Sequence, residues 1–134
     1  MKLVDTNIVV NLLIEGPYSA MARSLFALDL DWHSESLLMT ELVNVLATTV
    51  RTQKLPLAAA EATLAEAQYI LSHGMRSVAD GDVLNTAARF GISGYDARFL
   101  VVALATGQPL ITEDAKLRRA APGLTCSIAD ALAR

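Results

Sequence analysis

The chain is poor in cysteine and in positive charge, and it has no long apolar run. Cys126 is the only cysteine among 134 residues, so neither an intrachain disulfide nor a thiolate metal cluster can form, and we expect Cys126 to be a small buried residue. No uninterrupted apolar stretch approaches the roughly 20 residues that a bilayer span needs. The first residues, Met1 to Asp5, are too polar for a signal peptide. We therefore expect a cytosolic protein with no membrane association.

Basic residues are outnumbered by acidic ones. The chain has 11 Lys and Arg against 14 Asp and Glu, for a net charge of −3. This balance argues against the broad basic surface with which a simple nucleic-acid-binding module holds phosphates. It does not exclude a metal-dependent nuclease, because acids gathered to hold cations make a site electronegative until the metal binds.

Apolar residues are abundant. They form 53% of the chain, while charged residues form only 19%, which is apolar for a soluble domain and predicts surface left over for a partner. The length of 134 residues suits one domain with its own core. We therefore expect residues 1–134 to form a single domain that assembles as a homodimer.

Short apolar segments alternate with helical patterns along the whole chain. Parallel strands need helical crossovers, so this alternation predicts a parallel sheet covered on both faces. The expected fold is α/β, with three α/β/α layers around a short central, mainly parallel sheet. We expect strands near residues 2–4, 31–34, 75–79, 108–112 and 124–126, and helices near 8–14, 18–28, 37–52, 57–72, 80–90, 95–106, 115–120 and 127–134.

Two of the predicted strands end in the same way. Leu3 and Val4 lead into Asp5, and Ile111 leads through Thr112 into Asp114, with a helical pattern following each carboxylate. The carboxyl ends of strands in an open α/β sheet are where ligands bind. An Asp before a helix is also a favoured N-cap, so each of the two acids has a capping interpretation beside a site interpretation.

Two further acids interrupt apolar helices. Glu41 is the only charge on a narrow polar stripe of the predicted helix 37–52, which also has Thr40, Asn44 and Thr48, so the stripe is either the wall of a cleft or an ordinary exposed face. Asp96 shares a helix face with Phe99, Leu100 and Ala103. A carboxylate there needs a cation or strong donors, unless it only complements the helix dipole.

Other polar residues have simple structural interpretations. His33 is expected to be a packed or capped histidine, because no second His lies at metal-binding spacing. Ser34 or Ser36 is expected to cap the helix that starts near Leu37. Asp80 and Asp82 are expected to cap the helix 80–90 and complement its dipole, and Gly74 is expected to end the helix before it.

The predicted sheet brings the four site candidates to one edge. Asp5 and Asp114 follow strand tips, Asp96 starts a helix at the same edge, and Glu41 lies on the cleft side of another helix. Carboxylates a few Å apart would repel one another without cations. Mg²⁺ and Mn²⁺ prefer oxygen ligands and would relieve that repulsion.

At this point the chain resembles PIN domains, in particular the VapC-like toxins of bacterial and archaeal toxin–antitoxin modules. The similar motifs occur in the expected order over nearly the whole chain. They are Leu3-Val4-Asp5-Thr6-Asn7, Thr40-Glu41-Leu42, Gly94-Tyr95-Asp96-Ala97 with Leu104-Ala105, and Pro109-Leu110-Ile111-Thr112-Glu113-Asp114.

The resemblance implies an Mg²⁺- or Mn²⁺-dependent endoribonuclease that leaves a 5′-phosphate and a 3′-hydroxyl. It places the catalytic and metal-binding acids at Asp5, Glu41, Asp96 and Asp114, with Thr6, Asn7 and Thr112 at its supporting polar positions. Many relatives carry another acid three residues after the fourth one, where this chain has Leu117. A cognate antitoxin protein that blocks the cleft is the implied partner.

Basic residues follow the last acid closely. Lys116, Arg118 and Arg119 either contact RNA phosphates beside the cleft or complement the dipole at the end of a short helix. Two other functions stay open at this stage. One is a non-catalytic PIN-like interaction module, and the other is a receiver- or phosphatase-like domain with Asp5 as phosphoryl acceptor.

Overall fold

The computed structural model describes residues 1–134 and contains a five-stranded sheet with helices on both faces. All four strand pairings are parallel, as expected for strands joined through helices. The predicted three-layer α/β/α fold is therefore confirmed. The strands are β1 (Lys2–Val4), β2 (Trp32–Glu35), β3 (Met75–Arg76), β4 (Leu110–Ile111) and β5 (Thr125–Cys126).

Eight helices connect and cover these strands. None of them combines the length and the apolar character needed to cross a membrane. The helices are α1 (Thr6–Leu13), α2 (Ser19–Leu28), α3 (Leu37–Arg51), α4 (Leu57–Ile70), α5 (Asp80–Phe90), α6 (Gly94–Thr106), α7 (Ala115–Ala120) and α8 (Ile128–Ala133).

The strand order β3-β2-β1-β4-β5 puts β1 at the centre of the sheet. The chain adds β2 and β3 on one side of β1 and then crosses to add β4 and β5 on the other. The order therefore reverses between β1 and β4, where Leu3 pairs with Leu110 and Val4 with Ile111. Such a reversal leaves a crevice outside the carboxyl ends of the two strands, and Asp5 and Thr112 are the first residues beyond them.

The core surrounds the central strand. Leu3 and Val4 are fully buried, as a strand covered on both faces requires. Trp32 at the start of β2 is buried as well and meets Phe26 edge to face, with ring centroids 5.1 Å apart. The side chains of α6 that face the sheet, including Phe99 and Leu100, complete this core and fix the helix that carries Asp96.

Gly74 does not end α4 as predicted. Leu71 occupies the C-cap position of α4, and the glycines with positive φ are Gly91 and Gly107. Gly74 instead lies against β2, where its carbonyl accepts a hydrogen bond from the Ser34 amide at 3.0 Å. A Cβ on Gly74 would stand 2.2 Å from the Trp32 carbonyl oxygen, so glycine is required there by close backbone approach rather than by a left-handed turn.

Two capping predictions also need correction. Ser36 occupies the N-cap position of α3 without making a side-chain cap, and the Ser34 hydroxyl donates to the Val4 carbonyl. The first amide of α3, that of Leu37, donates instead to the Glu35 carboxylate at 2.7 Å. Asp80 and Asp82 lie in the first turn of α5, where they complement the dipole, but neither caps it.

Candidate functional site

A cleft of about 600 Å³ opens at the carboxyl ends of β1 and β4. All four acids predicted for the site line it. Asp5 and Asp114 follow the ends of two strands, Asp96 lies in the first turn of α6, and Glu41 lies in the second turn of α3. The residues lining the cleft are Asp5, Thr6, Asn7, Val10, Leu37, Thr40, Glu41, Asn44, Val45, Tyr95, Asp96 and Asp114.

Asp5 is the N-cap of α1, as its capping interpretation predicts, and it also lines the cleft. Its Oδ1 accepts a hydrogen bond from the Thr6 amide at 2.8 Å, and its Oδ2 accepts one from the Thr112 hydroxyl at 2.8 Å. The residue is only 8% exposed. Burial raises the pKa of Asp5 to about 6, and nearby Glu41 and Asp96 add to the rise while the two hydrogen bonds oppose it.

Thr112 connects the two strand ends. Its hydroxyl donates to Asp5 and accepts hydrogen bonds from the Asn7 side chain at 3.2 Å and from the Asp114 amide at 3.1 Å. The Asn7 side chain also accepts from the Glu113 amide at 3.2 Å. The predicted supporting residues Asn7 and Thr112 therefore hold the β1–α1 and β4–α7 junctions together.

Glu41 faces the cleft from α3. The hydroxyl of Thr6 donates to its Oε1 at 2.7 Å, so the third predicted supporting residue ties α3 to the start of α1. Thr40 and Asn44 line the cleft beside Glu41, whereas Thr48 does not. The polar stripe predicted on α3 is thus a cleft wall over its first turns only.

Asp96 enters the cleft from the first turn of α6 and is half-buried. Its amide donates to the side chain of Ser93, the N-cap of α6, at 3.0 Å. Burial raises the pKa of the Asp96 carboxyl, and the charge of Asp114 raises it further. The face that Asp96 shares with Phe99, Leu100 and Ala103 is buried against the core, as its spacing predicted.

Asp114 caps the short helix α7. Its Oδ1 accepts a hydrogen bond from the Leu117 amide at 3.1 Å, so Asp114, like Asp5, is a cap that also lines the cleft. Four acids far apart in the sequence therefore converge on one cleft. Burial and neighbouring cleft acids raise the pKa values of two of them, Asp5 and Asp96.

Comparison with known proteins identifies the family. The family model described as "PIN domain" matches residues 2–122. The chain belongs to the PIN domain family. PIN domains are a nuclease-type fold and typically use divalent metal ions, so membership supports a nuclease-like, hydrolytic role for this PIN domain.

One solved structure is similar over almost the whole of this PIN domain. It is the crystal structure of PAE2754 from Pyrobaculum aerophilum, with a TM-score of 0.77 and 22% sequence identity. The alignment covers 99% of this chain and 93% of that chain. At this identity the likeness supports the three-layer fold alone. A search of curated proteins found no match.

The donor chemistry of the PIN domain cleft fits a hydrated hard cation. No three side chains of the types His, Cys, Asp and Glu are gathered closely enough to enclose an ion directly, and the cleft acids offer only oxygen. Mg²⁺ typically keeps several waters and binds through one or two carboxylates, so a dedicated cage is not needed. A buried Asp5 whose pKa is about 6 is stabilised as an anion when a cation binds beside it.

Leu117 and the basic residues of α7 do not line the cleft. Leu117 is buried in the core, so its position provides no oxygen to the cleft. Arg118 donates to the Thr112 carbonyl at 2.8 Å and pairs with Glu113 at 3.6 Å, which makes it a brace for the β4–α7 junction. Lys116 and Arg119 are exposed.

Sequence reasoning missed three residues around the site. Tyr95, next to Asp96, lines the cleft and is 69% exposed. Glu35, which is fully buried, forms an ion pair with the partly exposed Arg98. The signal available for Arg98 was a charge in an apolar helix, since such a charge needs a partner when buried.

Proposed function

We propose that this PIN domain is an Mg²⁺- or Mn²⁺-dependent endoribonuclease that hydrolyses RNA phosphodiester bonds. The observation that supports it most is the convergence of Asp5, Glu41, Asp96 and Asp114 on one cleft at the reversal point of the sheet. A scaffold would have little reason to concentrate unpaired carboxylates there. The nuclease-type family adds independent support.

Each acid has a role that follows from its surroundings. Asp5, Asp96 and Asp114 would hold the ion, either directly or through its waters. The ion, when bound, supplies a more acidic water and neutralises charge on the phosphate. Glu41 would orient the attacking water and accept its proton, because Thr6 occupies only Oε1 and leaves Oε2 without a hydrogen-bond partner in the chain.

Substrate binding would depend on a few residues beside the cleft. The net charge of −3 leaves little general attraction for RNA, so contacts near the acids matter more. Lys116 and Arg119, both exposed on α7, are our candidates for binding phosphates. Arg118 would contribute chiefly by bracing Thr112, although a second phosphate contact from its remaining donors is compatible with its position.

The nuclease proposal is tested with purified protein and a fluorescent single-stranded RNA. We expect cleavage with Mg²⁺ or Mn²⁺, no cleavage with EDTA, and a loss of at least about 100-fold in Asp5→Asn, since that side chain would lose its charge next to the ion. Glu66→Gln, an exposed change on α4 outside the acid cleft, is the matched control. Equal cleavage by Asp5→Asn and wild type would refute the proposal.

We further propose that the protein is the toxin of a cytoplasmic toxin–antitoxin pair, as the VapC-like motifs suggest. Four acids in one open cleft would attract an inserted Arg of an antitoxin segment, which would then exclude RNA. An antitoxin gene next to this one would support the role. Growth that is unaffected by expression of the active protein would contradict it.

An apolar groove between α3 and α4 supports the proposed homodimer. Its volume is about 410 Å³, and Val43, Leu46, Val50, Leu57 and Leu64 are among the residues that line it. Val43 and Leu57 are exposed there, and exposed apolar surface of this kind is typical of an interface. A monomer by light scattering at micromolar concentration would count against the dimer.

A further inference from the structure

A fully buried carboxylate, that of Glu35, lies two residues before Leu37, a residue that lines the acid cleft. Glu35 is the last residue of β2 and has no solvent exposure. Its Oε1 accepts hydrogen bonds from Arg98 Nη2 at 2.8 Å and from the Ser36 hydroxyl at 2.9 Å. Its Oε2 accepts from Arg98 Nε at 3.0 Å and from the Leu37 amide at 2.7 Å. All four donors come from the start of α3 or from α6.

Stability alone does not account for an ion pair at this position. Removing the Glu35 charge and most of the Arg98 side chain, which stays 28% exposed, from water is costly. Replacing a buried pair by apolar side chains of similar size is often neutral or stabilising. The pair instead fixes geometry. The guanidinium of Arg98 donates to both oxygens of Glu35, so both the distance and the orientation between the two side chains are set. The hydrogen bonds that Glu35 accepts lower its pKa despite burial, so the pair is charged at neutral pH.

The pair joins the two helices that face each other across the cleft. Arg98 lies two residues after Asp96 on α6, and Leu37, whose amide Glu35 accepts, begins the turn of α3 that leads to Glu41. We propose that Glu35 and Arg98 are positioning residues. They hold Asp96 at the distance from Glu41 and Asp5 that metal binding in the cleft requires. This inference rests on the proposed metal-dependent function of the cleft.

The test compares Mn²⁺ binding in wild type and in the apolar double variant E35M/R98L, by electron paramagnetic resonance of free Mn²⁺. The melting temperature of the double variant should stay near that of wild type. Its Mn²⁺ affinity should fall by about tenfold or more, the usual effect of removing groups that orient metal ligands. A folded double variant with wild-type affinity would show that the pair is structural only and would overturn the inference.

Two further variants keep the result interpretable. E15M/R23L makes the same change at the exposed Glu15–Arg23 pair and should leave Mn²⁺ affinity unchanged. R98K keeps the charge but loses the fork, so it should fold and bind Mn²⁺ more weakly than wild type. If E35M/R98L fails to fold, wild-type affinity in R98K overturns the inference.

A measurement without metal separates this inference from the nuclease proposal. Amide hydrogen exchange in the metal-free protein should become faster in R98K at Asp96 and Ala97, in the first turn of α6, and stay unchanged at the buried Leu100. Wild type that binds no Mn²⁺ would refute the metal-dependent function by itself. Unchanged exchange at Asp96 and Ala97 would refute the positioning role, whatever the metal result.

Discussion

Asp5 has two roles with opposite effects on the pKa of its carboxyl group. As the N-cap of α1 it accepts the Thr6 amide, which stabilises the ionised form, while burial beside Glu41 and Asp96 destabilises that form and raises the pKa to about 6. The fold therefore holds the carboxylate in place, but ionising it costs free energy. A bound cation would stabilise the ionised form more than an additional hydrogen bond would.

This conflict predicts how stability depends on pH without metal. Because the pKa of Asp5 rises from 3.8 to about 6 on folding, the folded state binds this proton more tightly, and the contribution of Asp5 to stability decreases as pH rises from about 4 to 6. The loss at pH 7 is about 3 kcal/mol. Asp5→Asn has no charge to bury and should be more stable than wild type by up to that amount.

Urea unfolding in EDTA at pH 4 and pH 7 measures this difference. The gap between Asp5→Asn and wild type should be small at pH 4, large at pH 7, and reduced again at pH 7 by excess Mg²⁺. Ser127→Ala, which changes the cap of α8 without removing a charge, serves as the control. An Asp5→Asn variant that is less stable than wild type at pH 7 would contradict the assignment.

The exposed position of Tyr95 at the cleft predicts that its ring stacks on an RNA base. It is 69% exposed at the cleft and precedes Asp96, and base stacking on an aromatic side chain contributes about 1–3 kcal/mol per base. Tyr95→Ala should therefore weaken binding of single-stranded RNA by about tenfold. Tyr95→Phe should bind normally, and fluorescence anisotropy in an Asp5→Asn background measures both without cleavage. Equal affinities of the alanine and phenylalanine variants would exclude stacking.

At the scale of elements, the close approach of β2 and β3 depends on Gly74. A Cβ there would meet the Trp32 carbonyl oxygen at 2.2 Å, and neither backbone can move without disturbing the Ser34–Gly74 hydrogen bond. Gly74→Ala should destabilise the protein by about 1–3 kcal/mol or more. Gly81→Ala, in α5 with open space around its Cβ, should be neutral or slightly stabilising. Chemical denaturation gives the free energies of unfolding of the two variants and of wild type. A Gly74→Ala variant as stable as wild type would contradict the prediction.

The elements that could be predicted were those with local signals. Periodicity placed the helices, and the repeated pattern of strand followed by acid placed Asp5 and Asp114 at one edge of the sheet. The Glu35–Arg98 pair was not predicted, because the two residues are 63 positions apart and the sequence around one gives no sign that the other is its partner. Gly74 was misassigned for the same reason, since its constraint comes from the neighbouring strand β2 rather than from the end of α4.

At the scale of the whole molecule, the cleft and the apolar groove divide α3 between two surfaces. Thr40, Glu41 and Asn44 line the acid cleft, while Val43 and Leu46 line the groove beside α4. A second copy seated on the groove would therefore contact the helix that carries Glu41 without covering Glu41 itself. The proposed homodimer and the proposed cleavage are thus compatible in one assembly.

Leu57→Glu on α4 tests the dimer. Leu57 is 62% exposed and lines the groove, so a glutamate there would bury an unpaired charge in the interface and weaken dimerisation by about tenfold or more. Leu84→Glu on α5 is the matched control, since Leu84 is 74% exposed and lies outside the groove. Light scattering across a concentration series should show a monomer only for Leu57→Glu. Because the cleft residues are unchanged, the monomer should keep its Mn²⁺ affinity, and a dimer that persists in Leu57→Glu would place the interface elsewhere.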